Sequence, residues 1–198
     1  MVDERSIVYW KRGDKKVYGV LVIDMINDFI KGSLKVERAK RIIPNIKRLV
    51  EAAREFRLPV IYAVDSHREG VDMEFELWPP HAIAGTEGAE IIEELQPASE
   101  DFIVRKRRYN AFFGTDLDLL LRELKVDDLV LTGVLTDVCV QNTAADAFFR
   151  GYRITVLEDC VEALTEEDQK RGLDYMKRIY KAEILNLESF LRKLGEGK

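Results

Sequence analysis

Apolar residues along this chain switch between two periods, and the switches mark its elements. Continuous β-rich runs at 18–24, 59–65, 102–105, 129–134, 153–158 and 182–185 predict six short strands, of which the first is covered on both faces. Between them, 44–56 carries Ile46, Leu49, Val50, Ala53 and Phe56 on one helical stripe, with Pro44 tolerated in its first turn. Further helices are predicted over 86–95 with Thr86 as N-cap, over 115–124 with Thr115 and Asp118 as a variant capping box, over 141–150 closed by Gly151, and from about 165 to 180. Residues 1–17 read as an extra arm, and 188–198 as a short polar helix and tail. Strands that alternate with helices in this way predict an α/β fold, a parallel sheet with helices on both faces, in one domain over 1–198.

Composition narrows the class of function. With 198 residues, 46% of them hydrophobic, the chain can bury a sizeable core. A net charge of −5, with basic residues interspersed among acidic ones, gives no electrostatic footprint for nucleic acid. No apolar run approaches a membrane span and the N-terminal stretch is charged rather than signal-like, so no membrane partner and a cytoplasmic location are expected. Cys139 and Cys160 form neither a CxxC pair nor a disulfide framework, which suits a reducing compartment.

In a parallel sheet, ligands bind beyond the carboxyl ends of the strands. Those ends carry Asp24, Asp65 with His67, Lys106 and Cys139, all residue types able to do chemistry, and their convergence points to an enzyme. Cys139 falls where a strand turns into a helix, and a helix N-terminus with a neighbouring cation lowers a thiol from its ordinary pKa of about 8.5. A cysteine hydrolase also needs a group to take the thiol proton and return it to the departing amine. Asp24 is the candidate base, while Asp28 suits a loop cap. Lys106 can hold both Asp24 and the thiolate by charge, with Arg105, Arg107 and Arg108 beside it as competing cations. Cys160 reads as packing.

The chain has two histidines, both in one segment. Asp65 and His67 project to the same side of an extended strand end. With His81 folded back they form a two-histidine, one-carboxylate set with open positions, suited to Zn²⁺ first and to Fe²⁺ or Mn²⁺ as alternatives.

Asp24-Met25-Ile26-Asn27-Asp28-Phe29, Lys106 ahead of Tyr109-Asn110-Ala111-Phe112-Phe113-Gly114-Thr115-Asp116-Leu117, and Gly133-Val134-Leu135-Thr136-Asp137-Val138-Cys139-Val140 together resemble the three motifs of the isochorismatase-like cysteine hydrolases. That superfamily includes nicotinamidases, N-carbamoylsarcosine amidases and ureidoacrylate amidohydrolases. The resemblance makes Asp24, Lys106 and Cys139 the catalytic triad. It implies a six-stranded parallel, Rossmann-like sheet in a three-layer α/β/α sandwich, and homodimers or homotetramers. It also implies a cis peptide at Val134–Leu135, with the backbone N–H groups of Leu135 and Cys139 as oxyanion donors.

The run Asp65-Ser66-His67, then Trp78-Pro79-Pro80-His81 and Gly85-Thr86-Glu87-Gly88, is similar to the metal-binding segment of nicotinamidases, where the metal holds the substrate's pyridine nitrogen. The same resemblance offers Glu74 as a further ligand, with Glu76 competing, and sets Phe29, Trp78 and Tyr109 in the substrate pocket. The compact run from Lys106 to Phe113 is instead as in carbamoylsarcosine-amidase-like and isochorismatase-like members; typical nicotinamidases carry several extra residues there. Isochorismatases proper cleave a vinyl ether without the cysteine, so Cys139 favours an amidase. The expected reaction is hydrolysis of a small-molecule amide, nicotinamide first. One alternative is an N-carbamoylsarcosine or ureidoacrylate type of substrate whose carboxylate is gripped by Arg107 or Arg108. Another is a non-catalytic binding protein on the same fold.

Overall fold

A computed structural model describes residues 17–196. Six strands, β1 (Tyr18–Ile23), β2 (Val60–Asp65), β3 (Phe102–Lys106), β4 (Asp128–Val134), β5 (Arg153–Glu162) and β6 (Glu183–Leu185), form one parallel sheet in the order β3-β2-β1-β4-β5-β6. The helices are α1 (Asn27–Ile30), α2 (Ile43–Glu55), α3 (Leu117–Glu123), α4 (Gln141–Phe149), α5 (Glu166–Ile179) and α6 (Leu187–Glu196).

Strand alternation sorts the apolar side chains into two cores, one on each face. Val20, Val22, Tyr62, Val64 and Val130 pack with Ile46 and Leu49 of α2 and Phe190 of α6. Leu21, Ile23, Ile61, Leu129 and Leu131 face the other way, onto Leu117 of α3, Ala144 of α4 and Met176 of α5. The result is the expected three-layer α/β/α sandwich. Among the described residues no helix is long and apolar enough to cross a membrane.

Tertiary pairing overrides the local pattern in one segment. The helix expected over 86–95 is two 3₁₀ turns, Glu87–Ala89 and Glu93–Leu95, around an extended stretch. Ile91 bridges antiparallel to Ile26, Asn27 N–H donates to the Glu90 carbonyl at 2.9 Å, and Ile92 N–H donates to the Met25 carbonyl at 3.1 Å. These bonds use the backbone groups a helix would need. Thr86 caps nothing; its hydroxyl donates to the Ile83 carbonyl at 2.8 Å. Of the capping box expected at 115–118 only half forms: Thr115 Oγ1 accepts from the Leu117 N–H at 3.3 Å, and the Asp118 half is missing. Asp118 accepts from the Tyr152 hydroxyl at 2.8 Å, and Thr115 donates to the Ala111 carbonyl at 2.6 Å. The short helix α1 follows β1 without a sequence signal, and residues 1–16 of the expected arm lie outside the described residues.

Candidate active site

The sheet order reverses between β1 and β4, and a crevice opens there at the carboxyl ends of the strands. Asp24 follows β1 in the left-handed region (φ 55°), which aspartate tolerates better than most residues. Lys106 ends β3, directly opposite Asp65 at the end of β2. Gly133, with φ 103°, brings β4 so close to β1 that a β-carbon there would overlap the Ile23 carbonyl oxygen. The next peptide but one, Val134–Leu135, is cis, and Cys139 sits in a π-helical turn (Thr136–Val140) that runs into α4.

These residues meet in a buried cluster. Lys106 Nζ lies 2.7 Å from Asp24 Oδ2 and 2.7 Å from Asp65 Oδ1, and Asp24 Oδ1 accepts from the Asp65 N–H at 2.9 Å. The Cys139 sulfur and one oxygen from each of Asp24 and Asp65 lie within 4.8 Å of one another. Strand parity selects the cation: Val104 and Lys106 of β3 point inward while Ile103 and Arg105 point out. Arg107 pairs with Asp72, and Arg108 donates to the Arg107 carbonyl. Arg105, Arg107 and Arg108 line a separate cleft with Phe113, and the lining of the cavity beside Cys139 does not include them.

Burial pushes Asp24 up to about 7, helped by the charge of Asp65 and opposed by Lys106. Asp65 stays below its ordinary value because Lys106 and His67 outweigh its own burial. Lys106 lies well above its ordinary range: burial would lower it, but the two carboxylates prevail. The thiol departs from expectation. Burial raises Cys139 well above the ordinary thiol range, Lys106 only partly opposes this, and Asp24 and Asp65 add to the rise. Cys139 lies in the first turn of the helical run that opens at Thr136, and its burial outweighs that position. That direction favours the thiol form, next to a carboxylate that can take its proton.

Beside this cluster lies a set of metal-type donors. Single ligand atoms of Asp65, His67 and His81 fall within 4.8 Å of one another, all buried. Each imidazole is oriented through Nδ1: His67 by Asp72 Oδ2 at 3.0 Å, His81 by the Pro79 carbonyl at 2.8 Å. That leaves Nε2 free to ligate, the arrangement usual for metal-bound histidine. Among the described residues, His67 Nε2 and both Glu74 oxygens are buried without a hydrogen-bond partner. His67 Nε2 lies 3.7 Å from Asp65 Oδ1 and 3.7 Å from Glu74 Oε2. Two ligands on a tetrahedral metal at about 2.0–2.2 Å stand roughly 3.4 Å apart, so the gap suits a shared cation better than a hydrogen bond. Burial raises the Glu74 pKa, with Asp65 adding to it. The donors therefore fit a divalent metal, and Glu74 is buried beside them while Glu76 is exposed.

One cavity connects the two clusters. Its lining includes Cys139, Leu135, Asp65, Glu74 and His81, with Phe29, Trp78 and Tyr109 as its aromatic walls. Trp78 Nε1 donates to the Tyr109 hydroxyl at 2.8 Å, which fixes the indole. Leu34, Lys35 and Val36 also line it, and among the described residues Lys35, which pairs with Glu37, is its one lysine or arginine. Asp28 does more than cap a loop. It accepts from Ala82 N–H at 2.7 Å, next to His81, and from Ser33 N–H at 3.1 Å, next to Leu34.

Four residues of this region carry no mark in the sequence. Asp72 orients His67 and is itself held by Arg107 and by the Arg68 N–H. The Phe75 ring packs edge-on to both histidines. Lys35 lines the cavity, and Gln169 accepts from Thr136 in the turn that carries Cys139. Only their place in loops or on a helix face sets them apart, and spacing carries no signal for that. Cys160 is fully buried, away from the cavity, as packing requires.

Residues 18–189 match the isochorismatase domain family. Among solved structures, an N-carbamoylsarcosine amidase from Thermoplasma acidophilum is 38% identical with a TM-score of 0.82, covering 88% of this chain and 98% of that one. Nicotinamidase PncA from Bacillus subtilis is 36% identical with a TM-score of 0.81, covering 86% of this chain and 99% of its own. A probable inactive nicotinamidase of Arabidopsis thaliana is 38% identical, over 81% of this chain and 88% of the relative.

Proposed function

The chain belongs to the isochorismatase family and is a hydrolase of carbon–nitrogen bonds, and from that premise we propose that it is a metal-containing cysteine amidohydrolase cleaving nicotinamide to nicotinate and ammonia. The observation that carries this reading is the unpartnered His67 Nε2 and Glu74 carboxylate, buried beside the cavity that also exposes Cys139. Orphaned buried donors are costly unless a ligand completes them. Asp65, His67 and His81, with Glu74, would hold the metal, Zn²⁺ by the nitrogen-and-oxygen character of the set. When bound, the metal supplies an electrophilic position for a ring nitrogen.

The chain's own residues carry the reaction. Asp24 takes the Cys139 proton as sulfur attacks the amide carbonyl, and Lys106 holds the carboxylate in place. The backbone N–H groups of Leu135 and Cys139 stabilise the tetrahedral oxyanion. As the C–N bond breaks, Asp24 returns the proton to the leaving ammonia. Water, activated by the same carboxylate, then hydrolyses the thioester, and nicotinate leaves with the thiol restored. Ammonia release from nicotinamide by zinc-loaded protein tests the reading; none from any amide would leave a non-catalytic binding protein.

One observation favours a second reading. Lys35, whose ammonium pairs with Glu37 at 2.5 Å, is the basic side chain lining the cavity, and a ureido acid whose carboxylate replaces Glu37 as its partner would fit there. The compact 106–113 stretch agrees with it. Ureido acids cleaved with nicotinamide inert would establish this alternative.

A further inference from the structure

The turn carrying Cys139 is gripped from outside the cavity by helix α5. Thr136 Oγ1 donates to Gln169 Oε1 at 2.6 Å, and Gln169 Nε2 donates to the Val161 carbonyl at 3.0 Å and the Glu158 carbonyl at 3.4 Å. Two carbonyl acceptors leave the amide one orientation, with its oxygen towards Thr136, so the threonine must be the donor. The carbonyls belong to a bulge: Leu131 of β4 pairs with Val156 of β5, but Gly133 pairs with Val161. Extra β5 residues there fall out of the ladder, and an extra stretch of this kind needs other partners for its backbone. Close by on α5, a β-carbon on Gly172 would stand 3.2 Å from the Asp137 backbone, so helix and turn touch.

We propose that Gln169 and Thr136 form a positioning pair that sets the nucleophile's turn in register with Asp24; this rests on the reading of Cys139 as nucleophile. Thr136 opens the turn: it directly follows Leu135, and its carbonyl receives the Gln141 N–H. Its hydroxyl bond ties that point to the bulged end of β5. Neither Gln169 nor Thr136 lines the cavity, so neither touches a bound ligand. Losing the bond therefore moves the sulfur and the oxyanion donors relative to Asp24 while Phe29, Trp78 and the metal donors stay on other elements. A misplacement of about 1 Å costs on the order of 100-fold in rate.

The test compares Thr136→Val, Thr136→Ser and Gln169→Leu in metal-loaded protein. Thr136→Val is expected to lower kcat by about 10- to 100-fold with KM nearly unchanged, because it removes a hydroxyl and little volume. Thr136→Ser keeps the donor and is expected to restore most of kcat. Iodoacetamide alkylation of Cys139, a substrate-free readout of thiol placement, is expected to change in Thr136→Val and return in Thr136→Ser. A folded Thr136→Val with ordinary kcat and alkylation overturns the proposal, as does equal loss in Val and Ser variants. Gln169→Leu is expected to match Thr136→Val, and if it fails to fold the threonine pair still decides. Full activity in Cys139→Ala would instead remove the nucleophile reading, which separates the two failures.

Discussion

Lys106 stands 2.7 Å from Asp65, the same distance at which it holds Asp24, so one buried ammonium serves a carboxylate beside the thiol and a carboxylate of the metal-type set. Removing it leaves two close buried carboxylates without their cation. Lys106→Met is therefore expected to abolish turnover and to cost about 3–5 kcal/mol of stability, read by denaturant unfolding. Arg105→Ala, on the outward side of the same strand, should fall within about 0.5 kcal/mol of the parent. Equal effects from the two would mean that the strand does not present the lysine inward.

The two cysteines should separate cleanly. Cys139→Ala is expected to abolish amide hydrolysis with folding and metal content retained, whereas Cys160→Ala keeps most activity. Burial raises both thiols, but only Cys139 lines the cavity, so alkylation should inactivate through Cys139 alone. Peptide mapping after partial inactivation identifies the modified residue.

Metal content reports on the donors and on their support. Asp65→Ala, His67→Ala and His81→Ala should each bring bound metal towards zero by elemental analysis, while Glu74→Gln weakens binding in part. Asp72→Asn tests the orienting contact: metal affinity should drop by about 10- to 100-fold although Asp72 is no ligand. A fully active protein purified without metal would end this reading.

Substrate choice divides the two amidase readings. If a ring nitrogen is coordinated, nicotinamide should be turned over at least about 100-fold better than benzamide, which has the same shape without that nitrogen. Phe29→Ala and Trp78→Ala should then each weaken turnover by about 1 kcal/mol or more through lost ring packing. Under the ureido-acid reading, Lys35→Ala raises KM for those substrates and leaves nicotinamide unaffected.

What is legible in the sequence follows from periodicity. Strand ends are visible in an apolar run, so the hydrophobic pattern by itself brings Asp24, Asp65, Lys106 and Cys139 to one edge. The two histidines stand out through scarcity. Parity along β3 separates Lys106 from Arg105, but only given that Val104 points inward. Asp72 and Phe75 are invisible to such patterns, because a loop's path decides whether they face His67. The helix expected over 86–95 fails because its backbone groups pair with residues 25–27, a contact between segments some sixty positions apart. The direction of the thiol's shift is hidden for a related reason: burial depends on the whole fold, whereas a helix end can be read locally.

Asp28 has a consequence for how this site changes over generations. Its carboxylate fastens the backbone beside His81 to the backbone beside Leu34, and Gly88 leaves it the room to do so. The loop that carries His81 and the stretch that leads to Leu34 are therefore mechanically coupled. A segment transplanted from a relative on one side alone would arrive with its counterpart misfitted. New substrate preferences should accumulate most readily at cavity side chains outside those fastenings, Lys35 among them, where a replacement alters the chamber without unpicking its frame.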